Sequence, residues 1–485
     1  MPVVYFLYAF LKGHNKDFYS KILLVSSSLF FYAWWNFLYL PILILSIAFN
    51  FYIGSLILRW LKERKNSVVL LALGIITNLF ILGYFKYSNF LIENLNLIPG
   101  FDIAITEVVL PLGISFFTFQ QITYLVDCFR GDTDNYKILD YALFVSFFPQ
   151  LIAGPIVHHK EMMPQFLKNK TLDIDRNIVL GIFIFTMGLS KKVLIADTFS
   201  TWATSGFDTA EKLTLFEAWF TSLSYTFQLY FDFSGYSDMA IGLALLFNIR
   251  LPINFNSPYK SLNIQDFWNR WHITLSRFIR EYLWDPISLQ MTRYAFNSHC
   301  GSSMNFFYTI FVPITFSFFW IGLWHGAGWN FIIFGLFHGF GIIVFNLWKK
   351  VGIKLFRPIS WFITFMYVNI GWIFFRAESF SDATKVLSGM FGYSGIQLPS
   401  IFEGRFEFLS SLPVSYGWFL SNINGTLLTP LFITLGFFIV LFFKNSNEQI
   451  ENLEINYKTA FIASFLFSAS VFSLTKPAEF LYFNF

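Results

Sequence analysis

The sequence is poor in charged residues and in cysteine. Only 13% of its 485 residues are charged and 55% are hydrophobic, whereas about 25% of the residues in a soluble domain are charged. The two cysteines, Cys128 and Cys300, give neither a metal-binding spacing nor a disulfide framework. The formal net charge of +4 comes without a basic tail or stripe, which argues against nucleic-acid binding. This composition excludes an ordinary soluble enzyme and a disulfide-stabilised secreted domain.

The motifs of common soluble enzymes are also missing. The sequence contains no Walker loop, no GxSxG, no HExxH and no glycine-rich dinucleotide fingerprint. Its N-terminus has no short charged region followed by a small-residue cleavage site, so we expect no cleaved signal peptide. No spacing of His, Cys, Asp or Glu indicates a metal site, and we expect no bound metal.

Long apolar runs dominate the chain. A run of about 18 residues or more can cross the hydrocarbon core of a bilayer as a helix, and a β-barrel would show shorter, alternating segments instead. We predict an all-α polytopic membrane protein with about 11–13 transmembrane or re-entrant helices, forming a single domain over residues 1–485. The candidate segments are 20–34, 37–58, 67–88, 108–127, 139–156, 177–195, 214–231, 234–248, 305–323, 328–348, 357–375, 426–443 and 459–474.

The distribution of lysine and arginine predicts the topology. The loop at residues 12–21 and the loop at residues 59–65 are both basic, and the turn between them, residues 34–36, is uncharged and aromatic. Short basic loops remain in the cytoplasm, so we place both of them there. The basic pair Lys191–Lys192 stands near a predicted span end, from where long cationic side chains can reach the interface.

A histidine interrupts the apolar segment WIGLWHGAGWNFIIFGLFHG, residues 320–339. His325 stands between Trp324 and Gly326, and glycine lets the backbone bend or be approached closely. Ionisable side chains are costly in hydrocarbon, and those found there usually have a function. The motif therefore indicates a bend that presents an imidazole, although a packed core histidine would give the same pattern. His338, thirteen residues later, cannot share a helical face with His325, and we interpret it as structural.

Two aspartates lie in the apolar stretch YFDFSGYSDMAIG, residues 230–242. Asp232 and Asp238 would be costly in lipid without a partner, so each should face a wet cavity, a helix N-terminus or a basic residue. Ser234–Gly235 between them suggests a break between two helices. In that case, Ser234 or Asp238 would cap the second helix. A cap and a cavity-lining role are both compatible with the pattern.

The segment from residue 251 to residue 287 predicts an amphipathic helix. Asn263 and Asp266 are spaced for a capped helix start. His272 recurs with aromatic and aliphatic residues at helical spacing, whereas Arg270 belongs to the charged face. So many charges suit a helix at the membrane interface or inside the protein better than a span. His272 is therefore either a core residue or a functional one.

The adjacent histidines His158 and His159 follow the pair Gly154–Pro155, which should end a span. Neighbouring residues point to different sides of a helix, so these two imidazoles do not form a helical metal pair. We interpret the segment as an interfacial re-entrant loop.

Histidine and aspartate in a membrane cavity allow two kinds of chemistry. An imidazole can take the proton of a hydroxyl that attacks an acyl group, while a second group orients it or stabilises the oxyanion. The same residues would equally serve as the proton relay of a transporter. The residues alone do not decide between these functions.

Four ordered motifs resemble those of the membrane-bound O-acyltransferase superfamily. They are PLGISFFTFQ at 111–120, YFDFSGYSDMAIG at 230–242, WNRWHITLS at 268–276 and GLWHGAGWNFIIFGLFHG at 322–339. The sequence is most similar to the bacterial branch that contains the membrane subunits of alginate and peptidoglycan O-acetyltransferases and the D-alanyl transfer protein of teichoic acid synthesis. The likeness extends from about residue 30 to about residue 375 and leaves C-terminal helices at about 426–475 outside it.

This resemblance implies a helical bundle around a funnel or tunnel in the bacterial inner membrane. It implies that His325 is the catalytic general base and that His272 is the second histidine of this branch. The donor would be a cytoplasmic thioester, acetyl-CoA or an acylated carrier protein, with no bound cofactor. The acceptor would be an envelope glycan, reached with a periplasmic acetyltransferase partner. By their position in the sequence, the cavity-lining candidates are Trp324, Trp268, Arg270, Asp238 and Asn256.

Overall fold

Helices make up nearly all of the regular structure in the computed structural model, which describes residues 1–105, 108–167, 174–404, 414–451, 453–474 and 481. The first helices are α1 Pro2–Gly13, α2 Asp17–Trp35, α3 Leu40–Lys62, α4 Val68–Asn96, α5 Ile114–Arg130, α6 Ile138–Ser146, α7 His159–Leu167, α8 Ile174–Ser190, α9 Asp197–Thr204 and α10 Leu215–Leu246. They are followed by α11 Ile264–Arg270, α12 Ile273–Ile279, α13 Asp285–Asn297, α14 Ser302–Phe306, α15 Val312–His325, α16 Trp329–Val351, α17 Arg357–Arg376, α18 Phe380–Met390, α19 Leu428–Phe442, α20 Ser446–Glu451 and α21 Tyr457–Phe472. Two three-residue strands, β1 Ile396–Leu398 and β2 Val414–Tyr416, pair in parallel.

Among the described residues, six continuous helical stretches are long and apolar enough to cross a membrane. They are Phe37–Lys62, Val68–Asn96, Asp175–Thr209, Ser302–His325, Trp329–Val351 and Arg357–Arg376. The third of these includes two π-helical segments, Lys191–Ala196 and Ser205–Thr209. The prediction of an all-α polytopic membrane protein is confirmed.

The predicted break at Ser234–Gly235 does not occur. The two predicted segments 214–231 and 234–248 form one 32-residue helix, α10. Gly235 instead permits a close approach, because a Cβ placed there would lie 2.7 Å from the carbonyl oxygen of Gly188 in α8. Gly235 therefore has a structural role, but this role is close helix packing and not the end of a helix.

The predicted span at residues 139–156 is wrong as a continuous helix. Helix α6 ends at Ser146, and the chain then forms turns in which Gly154 N–H donates to the Gln150 carbonyl oxygen at 3.0 Å. The Gln150 side-chain amide donates to the Phe144 carbonyl oxygen at 2.9 Å, so it satisfies a backbone acceptor at the end of α6. The helix thus ends earlier than the apolar pattern predicts, and a buried glutamine covers one of its last carbonyl groups.

The chain divides into two compact units, residues 1–185 with 237–253 and residues 186–236 with 254–485. In the first unit, buried amides join α3 and α4: Asn50 Nδ2 donates to Asn78 Oδ1 at 3.1 Å, and Asn78 Nδ2 returns a bond of 2.6 Å. Such reciprocal side-chain bonds hold helices together where lipid supplies no hydrophobic drive.

The second unit contains the tightly packed pair α15 and α16. Gly335 of α16 lies so close to the Phe318 carbonyl of α15 that a Cβ on it would overlap that oxygen. Gly339, four residues later, packs against the Phe318 side chain. Gly335 and Gly339 thus form a small-residue packing face on α16. It fixes the position of the loop that joins the two helices, where His325 lies.

Candidate active site

His325 is the last residue of α15 and lies at a sharp bend. The backbone of Gly326 and Gly328 is extended, and α16 begins at Trp329. The imidazole is buried, with only 3% of the residue exposed. The prediction that this motif bends the chain at His325 is confirmed.

Aromatic rings surround the His325 imidazole. The ring centroids of Trp324, Phe375 and Phe334 lie 4.9, 5.0 and 5.8 Å from it, all in edge-to-face arrangements. The site thus combines one titratable side chain with apolar walls, a setting in which electrostatic interactions are stronger than in water.

His272 lies in the junction between α11 and α12. Its backbone is left-handed, with φ of 44°, and the residue is fully buried. The predicted continuous amphipathic helix is wrong here, because α11 ends at Arg270 and α12 begins at Ile273. The predicted cap at its start is confirmed, since Asn263 Oδ1 accepts a bond of 2.8 Å from Asp266 N–H.

Asn254 holds this junction in place. Its carbonyl oxygen accepts a bond of 2.9 Å from Ile273 N–H, and its side-chain Oδ1 lies 3.1 Å from His272 Nδ1. Burial lowers the pKa of His272 to about 3, so its imidazole is neutral at physiological pH. Asn254 was not among the predicted site residues, although it belongs to the same short segment, PINFN, as the predicted Asn256.

The two histidines contact the same indole. The Trp324 ring centroid lies 4.9 Å from that of His325 and 6.0 Å from that of His272. His272 also meets the ring of Phe233 edge-on, with ring centroids 4.8 Å apart. Two segments that are distant in sequence therefore form one histidine site around Trp324.

The remaining cavity-lining candidates have varied surroundings. Trp268 is buried and meets the ring of His338 edge-on at 5.2 Å. Arg270 pairs with Asp266 on the same helix at 2.9 Å, and Asn256 Oδ1 accepts a bond from Asn445 at 3.0 Å. Asp238 is buried in the part of α10 that belongs to the first unit.

Asp232 has the basic partner that its position predicted. Lys192 Nζ lies 2.6 Å from Asp232 Oδ1 and 2.8 Å from Asp197 Oδ1. Lys192 and Asp232 are both buried, so the ammonium of Lys192 is paired within the protein. The nearby carboxylates hold the ammonium inside the protein.

The adjacent histidines belong to a different cluster, in the first unit. His159 Nε2 lies 2.9 Å from Asp127 Oδ2, whereas His158 Nδ1 is 3.8 Å from the same oxygen. Within the part of the chain that the structure describes, no group of three or more His, Cys, Asp or Glu side chains has the arrangement of a metal site.

Comparison with known proteins decides the family. Residues 123–377, which include both site histidines, match the family model described as MBOAT, membrane-bound O-acyltransferase family. The chain belongs to the MBOAT family. It is accordingly a multi-pass membrane acyltransferase, and its His325 bend and His272 junction are features of an MBOAT protein.

Relatives of this MBOAT protein carry more specific names. It is 42% identical over 520 residues to a peptidoglycan O-acetyltransferase from Helicobacter pylori, covering 100% of this chain and 95% of that protein. It is 39% identical over 407 residues to a probable alginate O-acetylase, AlgI, from Pseudomonas aeruginosa, covering 83% and 74% of the two chains. A teichoic acid D-alanyltransferase from Streptococcus thermophilus is 27% identical over 287 residues, covering 54% of this chain and 68% of that protein.

Proposed function

We propose that the protein moves acetyl groups from a cytoplasmic thioester across the bacterial inner membrane, for O-acetylation of a cell-envelope glycan. Peptidoglycan is the preferred acceptor because the similarity to the Helicobacter pylori peptidoglycan O-acetyltransferase extends over the whole chain at 42% identity. An exopolysaccharide is the alternative, in line with the similarity to alginate O-acetylases. The observation that carries the proposal is the meeting of His325 and His272 at Trp324.

In this proposal, His325 is the general base. Its imidazole accepts the proton of the hydroxyl that first receives the acetyl group, on the glycan itself or on the periplasmic partner that passes the group on, while the hydroxyl oxygen attacks the thioester carbonyl carbon. The carbon–sulfur bond then breaks, and the imidazolium returns the proton to the thiolate, which leaves as free thiol. The buried aromatic walls exclude water that would hydrolyse the thioester. Trp268, Arg270, Asp238 and Asn256 remain proposed cavity residues with supporting roles.

Acetyl-CoA is the proposed donor, used as a substrate and not as a bound cofactor. A periplasmic acetyltransferase is the proposed partner that completes the transfer to the glycan. Membrane lipid surrounds the protein, and nucleic acid has no part in the reaction.

The test uses protein reconstituted in liposomes with radiolabelled acetyl-CoA and purified muropeptides, with and without a candidate periplasmic partner. We expect CoA release and base-labile label on the acceptor, and His325→Ala should lose roughly 10²–10⁴-fold of this activity. The matched control is His14→Ala, because His14 is an exposed histidine in the first unit and should leave the activity unchanged. Full activity of His325→Ala would refute the general-base assignment.

A second donor distinguishes the nearest alternative. If acetyl-CoA is inert and a D-alanyl carrier-protein thioester is consumed, the protein is a D-alanyl transferase of the kind represented by its Streptococcus thermophilus relative. If no thioester is consumed and an ion gradient drives solute movement, the transporter hypothesis replaces acyl transfer.

A further inference from the structure

One oxygen atom, Asn254 Oδ1, meets three groups of the His272 junction. His272 Nδ1 lies at 3.1 Å, the Thr274 hydroxyl at 2.9 Å and the Thr274 backbone N–H at 3.3 Å. Asn254 and His272 are both buried, and polar groups in such places are normally hydrogen-bonded. The amide of Asn254 is therefore the centre of a small polar network.

The Thr274 backbone N–H decides which end of the Asn254 amide faces the network. A backbone N–H can only donate, so the atom opposite it must be the acceptor Oδ1 and not the amide nitrogen. The Thr274 hydroxyl can adopt either role and donates here. The amide orientation, which is often ambiguous, is fixed by this contact.

The orientation of Asn254 in turn fixes the proton of His272. An imidazole nitrogen that faces a carbonyl-type oxygen must carry a hydrogen, so Nδ1 is the protonated nitrogen. A neutral imidazole has only one N–H, and burial keeps His272 neutral by lowering its pKa to about 3. Nε2 therefore carries a lone pair, so it can accept a hydrogen bond but cannot donate one.

Two backbone hydrogen bonds hold the Asn254 loop against the His272 junction. The carbonyl oxygen of Asn254 accepts the Ile273 N–H at 2.9 Å, and Asn256 N–H donates to the Arg270 carbonyl oxygen at 2.9 Å. These two bonds join the loop before α11 to both sides of His272, whose left-handed φ of 44° is uncommon for a residue other than glycine. Strained residues of this kind persist where their surroundings determine them, and they cluster at functional sites.

We infer that Asn254 is a positioning residue that holds His272 with its proton on Nδ1, so that Nε2 accepts a hydrogen bond from a substrate N–H or O–H group. This inference rests on the proposed function and makes it more specific. His272 then orients the substrate beside Trp324 and does not donate a hydrogen bond to the oxyanion. The N–H or O–H group that donates this hydrogen bond belongs either to the amide-containing arm of the acyl donor or to the hydroxyl-bearing acyl acceptor.

The direct test is the protonation state of His272. We would record magic-angle-spinning NMR spectra of ¹⁵N-histidine-labelled protein in liposomes at pH 7.5 and assign His272 by comparison with His272→Gln. A protonated Nδ1 and an unprotonated Nε2 are expected, and the opposite pattern would overturn the inference. This measurement needs no turnover, so its failure is distinguishable from failure of the proposed acetyl transfer.

A second test uses Asn254→Asp and the pH profile. The new carboxylate would lie beside Nδ1–H and raise the pKa of His272 by roughly one to three pH units. Two residues that contact His272, Trp324 and Phe233, are each next in sequence to a titratable residue. His325 follows Trp324, and Asp232, which is paired with Lys192, precedes Phe233. In Asn254→Asp, protonation of His272 should add one proton to the slope with which log kcat/KM falls on the acid side, relative to the wild type. An unchanged profile would contradict the inference.

Asn369→Asp is the matched control. Asn369 is another fully buried amide of the same unit, bonded to Ser222 and Thr226 at 2.9 and 2.8 Å. Its replacement should leave the acid side of the pH profile unchanged.

A third variant, Asn254→Leu, identifies which substrate donates the hydrogen bond to Nε2. A raised KM for acetyl-CoA would assign the group to the acyl donor, and a raised KM for the glycan would assign it to the acceptor. A fall in kcat with both KM values unchanged would refute the orienting role.

Discussion

The indole of Trp324 and the imidazole of His325 meet edge-to-face, with ring centroids 4.9 Å apart and planes inclined at 66°. Because the same indole also reaches His272, it sets the spacing of the two imidazoles. Small displacements of reacting groups are expensive in catalysis, with a 1 Å misplacement costing on the order of 10²-fold.

Replacing Trp324 should therefore impair transfer without unfolding the protein. We expect Trp324→Ala to lower kcat by about 10²-fold, measured as CoA release from acetyl-CoA in liposomes. Trp329→Ala is the control, because Trp329 belongs to the same motif but is 61% exposed. Equal activities of the two variants would show that the indole does not position the histidines.

The stability of the protein should depend on pH through His272. Its pKa is 6.5 in an unfolded chain and about 3 in the folded protein. Between these values the unfolded state binds a proton that the folded state does not, so stability falls as the pH decreases from about 6.5 towards 3. At pH 5 the penalty from this residue is about 2 kcal/mol.

Thermal unfolding in detergent at pH 7.5 and at pH 5 measures this dependence. The decrease in midpoint between the two pH values should be smaller in His272→Gln than in the wild type. His14→Gln, which changes an exposed histidine, should behave as the wild type does. An identical pH dependence in all three proteins would rule out the predicted contribution of His272.

The Lys192 network should tolerate loss of one carboxylate better than loss of the ammonium. Lys192→Met leaves Asp232 and Asp197 without their common partner, and breaking a buried pair in this way costs about 3–5 kcal/mol. Asp232→Asn is milder, because Lys192 keeps Asp197 at 2.8 Å. The thermal midpoint should be lowest for Lys192→Met and higher for Asp232→Asn. It should be closest to the wild type for Lys191→Met, which removes a bond to Ser446. The reverse order would contradict the network.

Packing of α15 against α16 should be sensitive to one added methyl group. Gly335→Ala places a Cβ on the Phe318 carbonyl oxygen, so the helices must separate and displace the His325 bend. We expect a lower yield of folded protein in size-exclusion chromatography. Gly83→Ala adds the same methyl where no atom lies within 4 Å, and a loss of equal size there would indicate a general effect of the substitution.

The sequence predicted those features that depend on local chemistry. The bend at His325 and the cap at Asn263 both arise from residues within one or two turns of each other. Each of them is confirmed, because glycine placement and capping geometry follow from the local backbone.

The features that were missed depend on distant contacts. His272 continues the helical spacing of its neighbours, and its left-handed backbone is fixed by Asn254, eighteen residues earlier. Gly235 looked like a helix breaker because the carbonyl of Gly188, which explains it, lies far away in sequence. The partner of Lys192, Asp232, stands forty residues later, so the sequence around Lys192 does not reveal the pair. Local periodicity contains no information about such pairings.

Lys192 is the central residue of the 35-residue helical stretch Asp175–Thr209. At about 1.5 Å per residue this stretch is much longer than the roughly 30 Å hydrocarbon core, so its midpoint stays inside the core wherever its ends lie. A lysine at the centre of a lone helix disfavours insertion by roughly 2.5–3.5 kcal/mol. Asp197 of the same stretch supplies one carboxylate to this ammonium, and we expect the helix to gain further stability in the bilayer during biogenesis when α10 arrives and supplies Asp232.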